Sequence, residues 1–153
     1  MRTRNQPGLS DADLRQVLEQ AGRRFTRQRA AVYSFLRSVD THPTAEQVFA
    51  QVRLRIPNIS LATVYKALEA LVDLGLAARL ADSGGGPIRY DGRPQPHYHF
   101  RCEKTGQVRD LELPYDPQLL DRLAPDLLHT LRAQGFEIVG HRLEVIGRFR
   151  EET

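Results

Sequence analysis

The first half of the chain contains four stretches in which apolar residues recur at helical spacing, each preceded by a residue that can cap a helix. The four capping hydroxyls are those of Ser10, Thr26, Thr44 and Ser60. Gln47 lies three residues after Thr44, which is the spacing of a capping box. Gly22 and Gly75 follow the first and fourth stretches, where glycine commonly ends a helix. The sequence therefore predicts four short helices before residue 75.

Two short extended runs follow these helices, at residues 76–80 and 87–90, and a glycine-rich tip at 82–86 joins them. This pattern predicts a β-hairpin. Several short helices closed by a hairpin have the element order of a winged helix-turn-helix, with its helix-turn-helix unit at 44–74. Any compact helical domain with a hairpin has the same order. We expect residues 1–91 to form a winged-helix domain that binds DNA.

The second half begins after the stiff stretch Gly-Arg-Pro-Gln-Pro at residues 92–96, which is typical of a hinge between domains. Residues 97–153 then have a β-β-α-β pattern. The expected elements are strands at 97–102 and 107–112, one helix over 120–131, and a closing extended segment or pair of strands over 136–149. A domain this small is marginal alone, so we expect it to pack against a second copy. The predicted fold class is α+β, an N-terminal winged helix-turn-helix followed by a small α/β dimerisation domain.

Charge is distributed unevenly between these halves. Residues 1–91 carry 13 Lys+Arg against 9 Asp+Glu, whereas residues 92–153 carry 9 against 10. Within the basic half, Arg23, Arg24 and Arg27 lie close together in sequence, as contacts to DNA phosphates would require. A solvated helix face is the alternative interpretation of these arginines.

Composition also limits where the protein can work. The apolar runs are only a few residues long and no secretion signal opens the chain, so we expect a cytoplasmic protein without a membrane span. The single cysteine, Cys102, cannot form an internal disulfide, which agrees with a reducing compartment. It also excludes a four-cysteine zinc site within one chain.

The predicted fourth helix presents a polar face opposite its apolar stripe. This face consists of Ala62, Thr63, Lys66, Ala70 and Asp73, with Tyr65 at its edge. Small residues let a helix enter the major groove; Lys66 can contact phosphate or guanine, and Thr63 and Tyr65 can touch thymine methyl groups. The residues expected to face DNA are Ser60, Ala62, Thr63, Tyr65 and Lys66. A position for Tyr65 at the margin of the core is the alternative.

Four further residues can converge on a metal ion. His97 and His99 are at positions i and i+2 of a predicted strand, so both imidazoles project from one face. Asp110 lies in the next strand after a tight turn, and Asp91 ends the hairpin six residues before His97. Paired histidines on a polar strand face are commonly just solvated, and the pair alone is weak evidence for a metal site.

Several ordered motifs resemble the ferric uptake regulator family, and the resemblance spans nearly the whole chain. The motifs are His42-Pro-Thr-Ala-Glu-Gln-Val48, Ser60-Leu-Ala-Thr-Val-Tyr-Lys-Ala-Leu68, Gly75-Leu76, Arg89-Tyr-Asp91 and His97-Tyr-His99. The resemblance implies a winged-helix domain, an α/β dimerisation domain, and a homodimer that represses transcription by binding AT-rich inverted repeats in double-stranded DNA. It also implies a regulatory metal between the domains, held by His42, Asp91, His97, His99 and Asp110.

The donor set of three imidazoles and two carboxylates suits Fe(II) or Mn(II), and Zn(II) in the purified protein. Because both acids are aspartates, the set is most similar to the peroxide-responsive branch of the family. In that branch bound Fe(II) leads to oxidation of a ligand histidine, and His42 and His97 occupy the corresponding positions here. Sensing of iron, zinc or manganese supply is the alternative within the family. A zinc-dependent hydrolase is a distant alternative, because no separate general base is evident.

The chain departs from the family at its structural zinc site. Many members carry two Cys-x-x-Cys pairs, whereas this chain reads Cys102-Glu-Lys-Thr105 and has no cysteine near its C-terminus. We therefore expect no structural four-cysteine zinc, and we expect Cys102 to be a buried small apolar residue. Pro96 and Tyr98 replace potential ligands of a further sensory site, which leaves His141 and His129 as structural or exposed residues.

Overall fold

The computed structural model describes residues 8–82 and 84–150, and Ser83 of the expected hairpin tip lies outside them. The helices are α1 (Asp11–Gln20), α2 (Arg27–Ser38), α3 (Ala45–Val52), α4 (Leu61–Asp73), α5 (Leu119–Leu123) and α6 (Pro125–Ala133). The strands are β1 (Ala78–Leu80), β2 (Arg89–Asp91), β3 (His99–Cys102), β4 (Val108–Asp110) and β5 (Glu144–Gly147). This mixed order of helices and strands confirms the predicted α+β class.

All four capping residues begin helices as predicted. The hydroxyls of Ser10, Thr26, Thr44 and Ser60 each accept a hydrogen bond from the backbone N–H three residues later. At α3 the capping box is complete, because the Gln47 side chain also accepts from the Thr44 N–H at 3.0 Å. These local bonds fix where each helix starts and therefore which face it turns to the core.

Helices α2, α3 and α4 pack around one apolar core in the N-terminal half. Its most buried members include Leu18, Val32, Val48, Val64 and Leu68, each fully shielded from solvent. Complete burial of one such side chain contributes roughly 1.5–3 kcal/mol. Strands β1 and β2 pair antiparallel beside this core, which completes the winged helix-turn-helix arrangement.

The second half contains a three-stranded sheet in the order β4-β3-β5. Strand β3 pairs antiparallel with β4 and parallel with β5, so the helices form the crossover between the parallel strands. The expected single helix is instead two, α5 and α6, because Pro125 begins a new helix and cannot continue the previous one. Both predicted strands are shorter than expected, and His97 precedes β3 rather than lying in it.

Large apolar side chains of the second half remain exposed in the single chain. They are Leu113, Leu123, Leu127, Phe136, Val139, Val145 and Ile146. An apolar set of this size is typical of an interface with another protein surface. None of the helices in the described part of the chain is long and apolar enough to cross a membrane.

The segment between the halves is anchored at its first residue. Gly92 is buried, and the Arg37 guanidinium donates a hydrogen bond to its carbonyl at 2.9 Å. A Cβ atom at this position would lie 2.6 Å from the Leu36 carbonyl oxygen, so only glycine lets the chain pass this close to the end of α2. Residues 93–96 follow as an irregular segment that leads to His97.

Candidate functional site

The structure brings His42, Asp91, His97, His99 and Asp110 together, with one donor atom from each lying within 4.8 Å of all the others. His42 lies in the loop between α2 and α3, and Asp91 ends β2. His97 and His99 come from the approach to β3 and from its first residue, and Asp110 ends β4, where it pairs with His99. Two of the five side chains therefore belong to the N-terminal half and three to the second half.

Donor separations in this cluster are short. His42 Nε2 lies 2.8 Å from Asp110 Oδ1 and 3.0 Å from Asp91 Oδ2. His97 Nε2 lies 2.9 Å from each of the same two oxygens, and His99 Nε2 lies 3.4 and 3.6 Å from them. A divalent ion with ligand distances of about 2.1 Å needs neighbouring donors about 3 Å apart. The five donors therefore fit a single ion of this class.

Backbone carbonyls orient two of the imidazoles. The Nδ1–H groups of His42 and His97 are directed at the Val108 and Gln95 carbonyl oxygens, at 3.0 and 2.6 Å. Because each Nδ1 carries its proton for this bond, each Nε2 is the nitrogen that can offer a lone pair to the cluster. His42 also has a positive φ of 51°, a backbone conformation that costs a non-glycine residue on the order of 1 kcal/mol.

The cluster shifts the titration of its members. Burial opposes a positive charge on His42, but hydrogen bonds to Asp110 and Asp91 outweigh it and raise the pKa to about 9. The same balance raises the pKa of His97 to about 9. Burial would raise the pKa of each aspartate, yet hydrogen bonds from the histidines hold both well below their usual range. Without a metal the site therefore holds imidazolium groups against carboxylates.

A residue that the sequence analysis missed supports Asp91. The Arg93 backbone N–H donates to Asp91 Oδ1 at 2.8 Å, and the Arg93 guanidinium lies 3.8 Å from Asp110 Oδ2. This leaves Asp91 Oδ2 directed at the three imidazoles. The signal was present in the sequence, because an aspartate two residues before the N–H it accepts is the spacing of an Asx-turn.

A cavity of about 600 Å³ lies beside the cluster. Asp91, His97 and His99 are among its lining residues, together with Tyr115 and His141. The cavity therefore brings a small solute to the edge of the donor cluster.

His141 does not join the cluster. Its Nε2 lies 3.0 Å from the Tyr98 hydroxyl, and its ring stacks on Tyr115 at 4.9 Å between centroids. His141 therefore contacts two tyrosines of the second half rather than the five donors. His129 is exposed on α6.

Cys102 is 1% exposed and forms no disulfide, as expected from the sequence. Hydrogen bonds from Thr105 and the Phe149 backbone lower the pKa of its thiol to about 7. It lies at the end of β3, in the sheet that carries His99 rather than in the donor cluster.

The outward face of α4 forms a second candidate site, a nucleic-acid interface. Ala62, Tyr65 and Lys66 are exposed near its N-terminus, and Tyr65 is 39% exposed, so it does not belong to the core. Thr63 is half-buried, and its hydroxyl lies 2.9 Å from the capping hydroxyl of Ser60. Ala70 is completely buried and does not face outward, which corrects the sequence expectation. The reason is that α4 packs against both α2 and α3, so its buried face is wide.

The arginines expected to contact phosphate have different surroundings. Arg24 and Arg27 are exposed, whereas Arg23 is partly buried and forms an ion pair with Asp73 of α4 at 2.6 Å. Glu46 at the start of α3 was not anticipated in the interface, yet Tyr65 donates its hydroxyl proton to Glu46 Oε1 at 2.9 Å. Nothing in the local sequence around either residue indicates this contact, because it joins two helices.

Comparison with known proteins gives consistent results. The model of the Ferric uptake regulator family matches residues 20–146. The peroxide-responsive repressor PerR of Staphylococcus aureus (strain NCTC 8325 / PS 47) is 35% identical over 134 residues, which are 88% of this chain and 85% of that protein.

Solved structures show the same likeness. A zinc-bound manganese uptake regulator superposes with a TM-score of 0.66 at 30% identity, covering 90% of this chain and 98% of that one. The Helicobacter pylori ferric uptake regulator superposes with a TM-score of 0.70 at 22% identity, covering 92% and 89% of the two chains. At that identity the second likeness concerns the fold alone.

Proposed function

The chain belongs to the ferric uptake regulator family, and on that premise we propose that it is a homodimeric, metal-responsive repressor that binds double-stranded DNA. The observation that carries the proposal is the convergence of five metal-binding side chains from both halves of the chain. The regulatory ligands would be His42, Asp91, His97, His99 and Asp110. The operator would be an inverted repeat, because two identical winged helices read two identical half-sites, and its AT-rich composition would follow from the resemblance to the family.

The donor set favours a divalent ion of the first transition series. Three imidazole nitrogens suit iron, manganese and zinc, and two carboxylates favour the harder Fe(II) and Mn(II). A zinc-bound relative supports Zn(II) as an occupant in the purified protein. With a single cysteine, the chain would carry no structural four-cysteine zinc, and the exposed apolar side chains of the second half would stabilise the dimer instead.

The distribution of the ligands between the halves suggests the switch. His42 and Asp91 move with the winged helix, whereas His97, His99 and Asp110 move with the sheet of the second half. An ion bound to all five would fix the angle between the halves, with residues 92–96 as the hinge. The two recognition helices of the dimer would then be held at the spacing of the operator half-sites, and loss of the ion would release them.

Peroxide is the signal that we propose for this switch. The relative from Staphylococcus aureus is a peroxide-responsive repressor, both acids of the site are aspartates, and the cavity beside the cluster gives a small solute access. When bound, Fe(II) would supply the electron that starts cleavage of the O–O bond of hydrogen peroxide; overall, the neighbouring imidazole would gain one oxygen atom and the other would leave as water. His42 and His97 would be the oxidised residues, because they occupy the positions of the oxidised histidines in the peroxide-responsive branch of the family. Each also lies closer to both aspartates than His99 does, at 3.0 Å or less.

Two measurements test these proposals in turn. Gel shifts on duplexes selected from a random library, with Mn(II) or with a chelator, test metal-dependent DNA binding, and equal binding in both conditions contradicts it.

Treatment of the Fe(II) form with peroxide tests the signal. We expect a mass gain of one oxygen atom on peptides that contain His42 or His97, with the Mn(II) form unchanged. Equal masses before and after treatment would instead favour sensing of metal supply.

A further inference from the structure

The hydrogen bond between Tyr65 and Glu46 constrains the orientation of the tyrosine ring and uses its only hydrogen-bond donor. Glu46 lies in the first turn of α3, and Tyr65 lies in the second turn of α4, with 2.9 Å between the phenol oxygen and Glu46 Oε1. Both side chains are exposed, so the contact is not a by-product of core packing. It links the two helices of the helix-turn-helix unit on the face that carries Lys66.

The start of α3 fixes the backbone position of Glu46 and favours its ionised carboxylate. The capping box fixes the start of α3, and the N-terminal end of a helix stabilises a carboxylate. Hydrogen bonding to the Glu46 backbone N–H, then to Tyr65, lowers the pKa of the Glu46 carboxyl, so it is ionised at neutral pH. An ionised carboxylate only accepts hydrogen bonds, so the tyrosine hydroxyl must be the donor.

This assignment changes what the tyrosine offers to a base. Its one O–H is committed to Glu46, and the carboxylate raises the pKa of the phenol, so the phenol stays neutral. The phenol oxygen can still accept a hydrogen bond, but its donor is used, and the bond to Glu46 favours one orientation of the ring, with its hydrocarbon edge exposed. A fixed apolar edge in the major groove complements the C5-methyl group of thymine.

We propose that Glu46 is a positioning residue for base recognition, which holds the ring of Tyr65 so that it contacts a thymine methyl group rather than donating a hydrogen bond to a base. The proposal rests on the proposed DNA-binding function. It assigns a specificity role to a carboxylate whose charge, by itself, opposes binding to phosphates.

The experiment uses the full-length, Mn(II)-loaded protein and a duplex that it selects from a random library. Failure of the selection would contradict DNA binding itself and leaves no site on which the positioning role could operate. On the selected duplex, each thymine is replaced in turn by deoxyuridine, which removes only the methyl group. When the thymine facing Tyr65 is replaced, we expect the affinity of the wild-type protein for the duplex to fall about fourfold. This is the contribution of one buried methyl group.

Three single variants and one double variant separate positioning from charge. The thymine-to-uracil ratio is the affinity for the selected duplex divided by the affinity for the duplex with deoxyuridine at the position facing Tyr65. Glu46→Ala and Tyr65→Phe remove the hydrogen bond, so we expect this ratio to fall to about one in both variants and in the double variant. Glu46→Gln keeps an acceptor oxygen without the charge, and we expect it to retain the wild-type ratio. Thermal unfolding checks that each variant is folded. If Glu46→Ala is unfolded, the comparison of Tyr65→Phe with Glu46→Gln tests the positioning role.

Three results would overturn the proposal. The first is a wild-type ratio retained by folded Tyr65→Phe or Glu46→Ala. The second is a Glu46→Gln variant that loses the ratio while folded, because the charge and not the bond would then be responsible. The third is a wild-type protein that is insensitive to removal of every thymine methyl group in its selected site.

Discussion

His42 Nε2 lies 2.8 Å from Asp110 Oδ1, although the first residue precedes a helix of the winged-helix half and the second ends a strand of the other half. The His42 Nδ1–H also donates to the Val108 carbonyl of the same strand. The imidazole therefore contacts the second half of the chain through both of its nitrogens. Any change at either end of this contact affects how the halves are joined.

Replacement of Asp110 with asparagine should uncouple metal from DNA. The amide keeps the size of the side chain but removes a charged donor, so we expect Mn(II) affinity to fall by at least about tenfold. Coupling between two ligands is reciprocal, so the effect of Mn(II) on operator affinity should shrink with it. Metal competition and gel shifts measure the two quantities. Asp126→Asn, an exposed carboxylate on α6, is the matched control, and an Asp110→Asn variant that behaves like it contradicts the five-ligand site.

Binding of a divalent ion should release protons from this site. The pKa values of His42 and His97 are raised to about 9, so both are protonated near pH 7 without metal, and both must lose a proton to become ligands. We expect Mn(II) to release about two protons near pH 7, and the number to approach zero as the pH rises through 9. Calorimetry in buffers of different ionisation enthalpy measures it. His129→Gln, a change at an exposed residue, should release the same number of protons as wild type. Zero release near pH 7 would contradict the pairing of imidazolium groups with the two aspartates in the metal-free site.

Local rules predicted the N-terminal half well because its signals are local. A capping hydroxyl and the N–H that it binds are three residues apart, so Ser10, Thr26, Thr44 and Ser60 could be recognised from the sequence alone. Burial of Ala70 was not predictable in this way. It depends on α4 packing against two neighbours, and a helical wheel assigns a helix only one buried stripe.

The candidate metal site could be predicted only in part from the sequence. His97, His99 and Asp110 are close along the chain, and a tight turn brings them together whether or not His97 lies in the strand. His42 approaches them only because the two halves pack together, and no periodicity encodes that contact. Its assignment depended on the resemblance to the family. The Glu46–Tyr65 bond had neither kind of signal.

Substitution of Gly92 with alanine should destabilise the start of the segment that joins the two halves. The new Cβ would lie 2.6 Å from the Leu36 carbonyl oxygen, which is backbone and cannot rotate away. We expect a loss of about 1–3 kcal/mol in the free energy of unfolding, the usual cost of overpacking. Gly84→Ala is the control, because its Cβ would meet the Asp82 side chain first and that side chain can move. Urea denaturation compares them; similar stabilities would show that α2 adjusts to the new atom.

Two arginine–glutamate pairs of the second half should differ in their contributions to stability. Arg101 is 6% exposed, bonds to Glu144 of β5 at 2.8 Å, and reaches the Ala81 carbonyl of the hairpin at 3.4 Å. Arg148 bonds to Glu103 at 2.5 Å, but its side chain is 75% exposed. The paired atoms are the same, Nε and Oε1, so the two arginines differ in burial and in the further bonds that Arg101 makes to backbone carbonyls.

Replacement of each arginine with methionine turns this difference into a measurement. Arg101→Met leaves polar groups without a buried partner at the junction of the sheet and the hairpin, and we expect a loss of about 1–3 kcal/mol in the free energy of unfolding. Arg148→Met removes a pair that water already screens, and we expect a loss below about 1 kcal/mol. Urea denaturation of the metal-free proteins isolates both effects from metal binding. Equal losses would mean that Arg101 contributes no more than a surface ion pair, and that the hairpin is held to the sheet by other contacts.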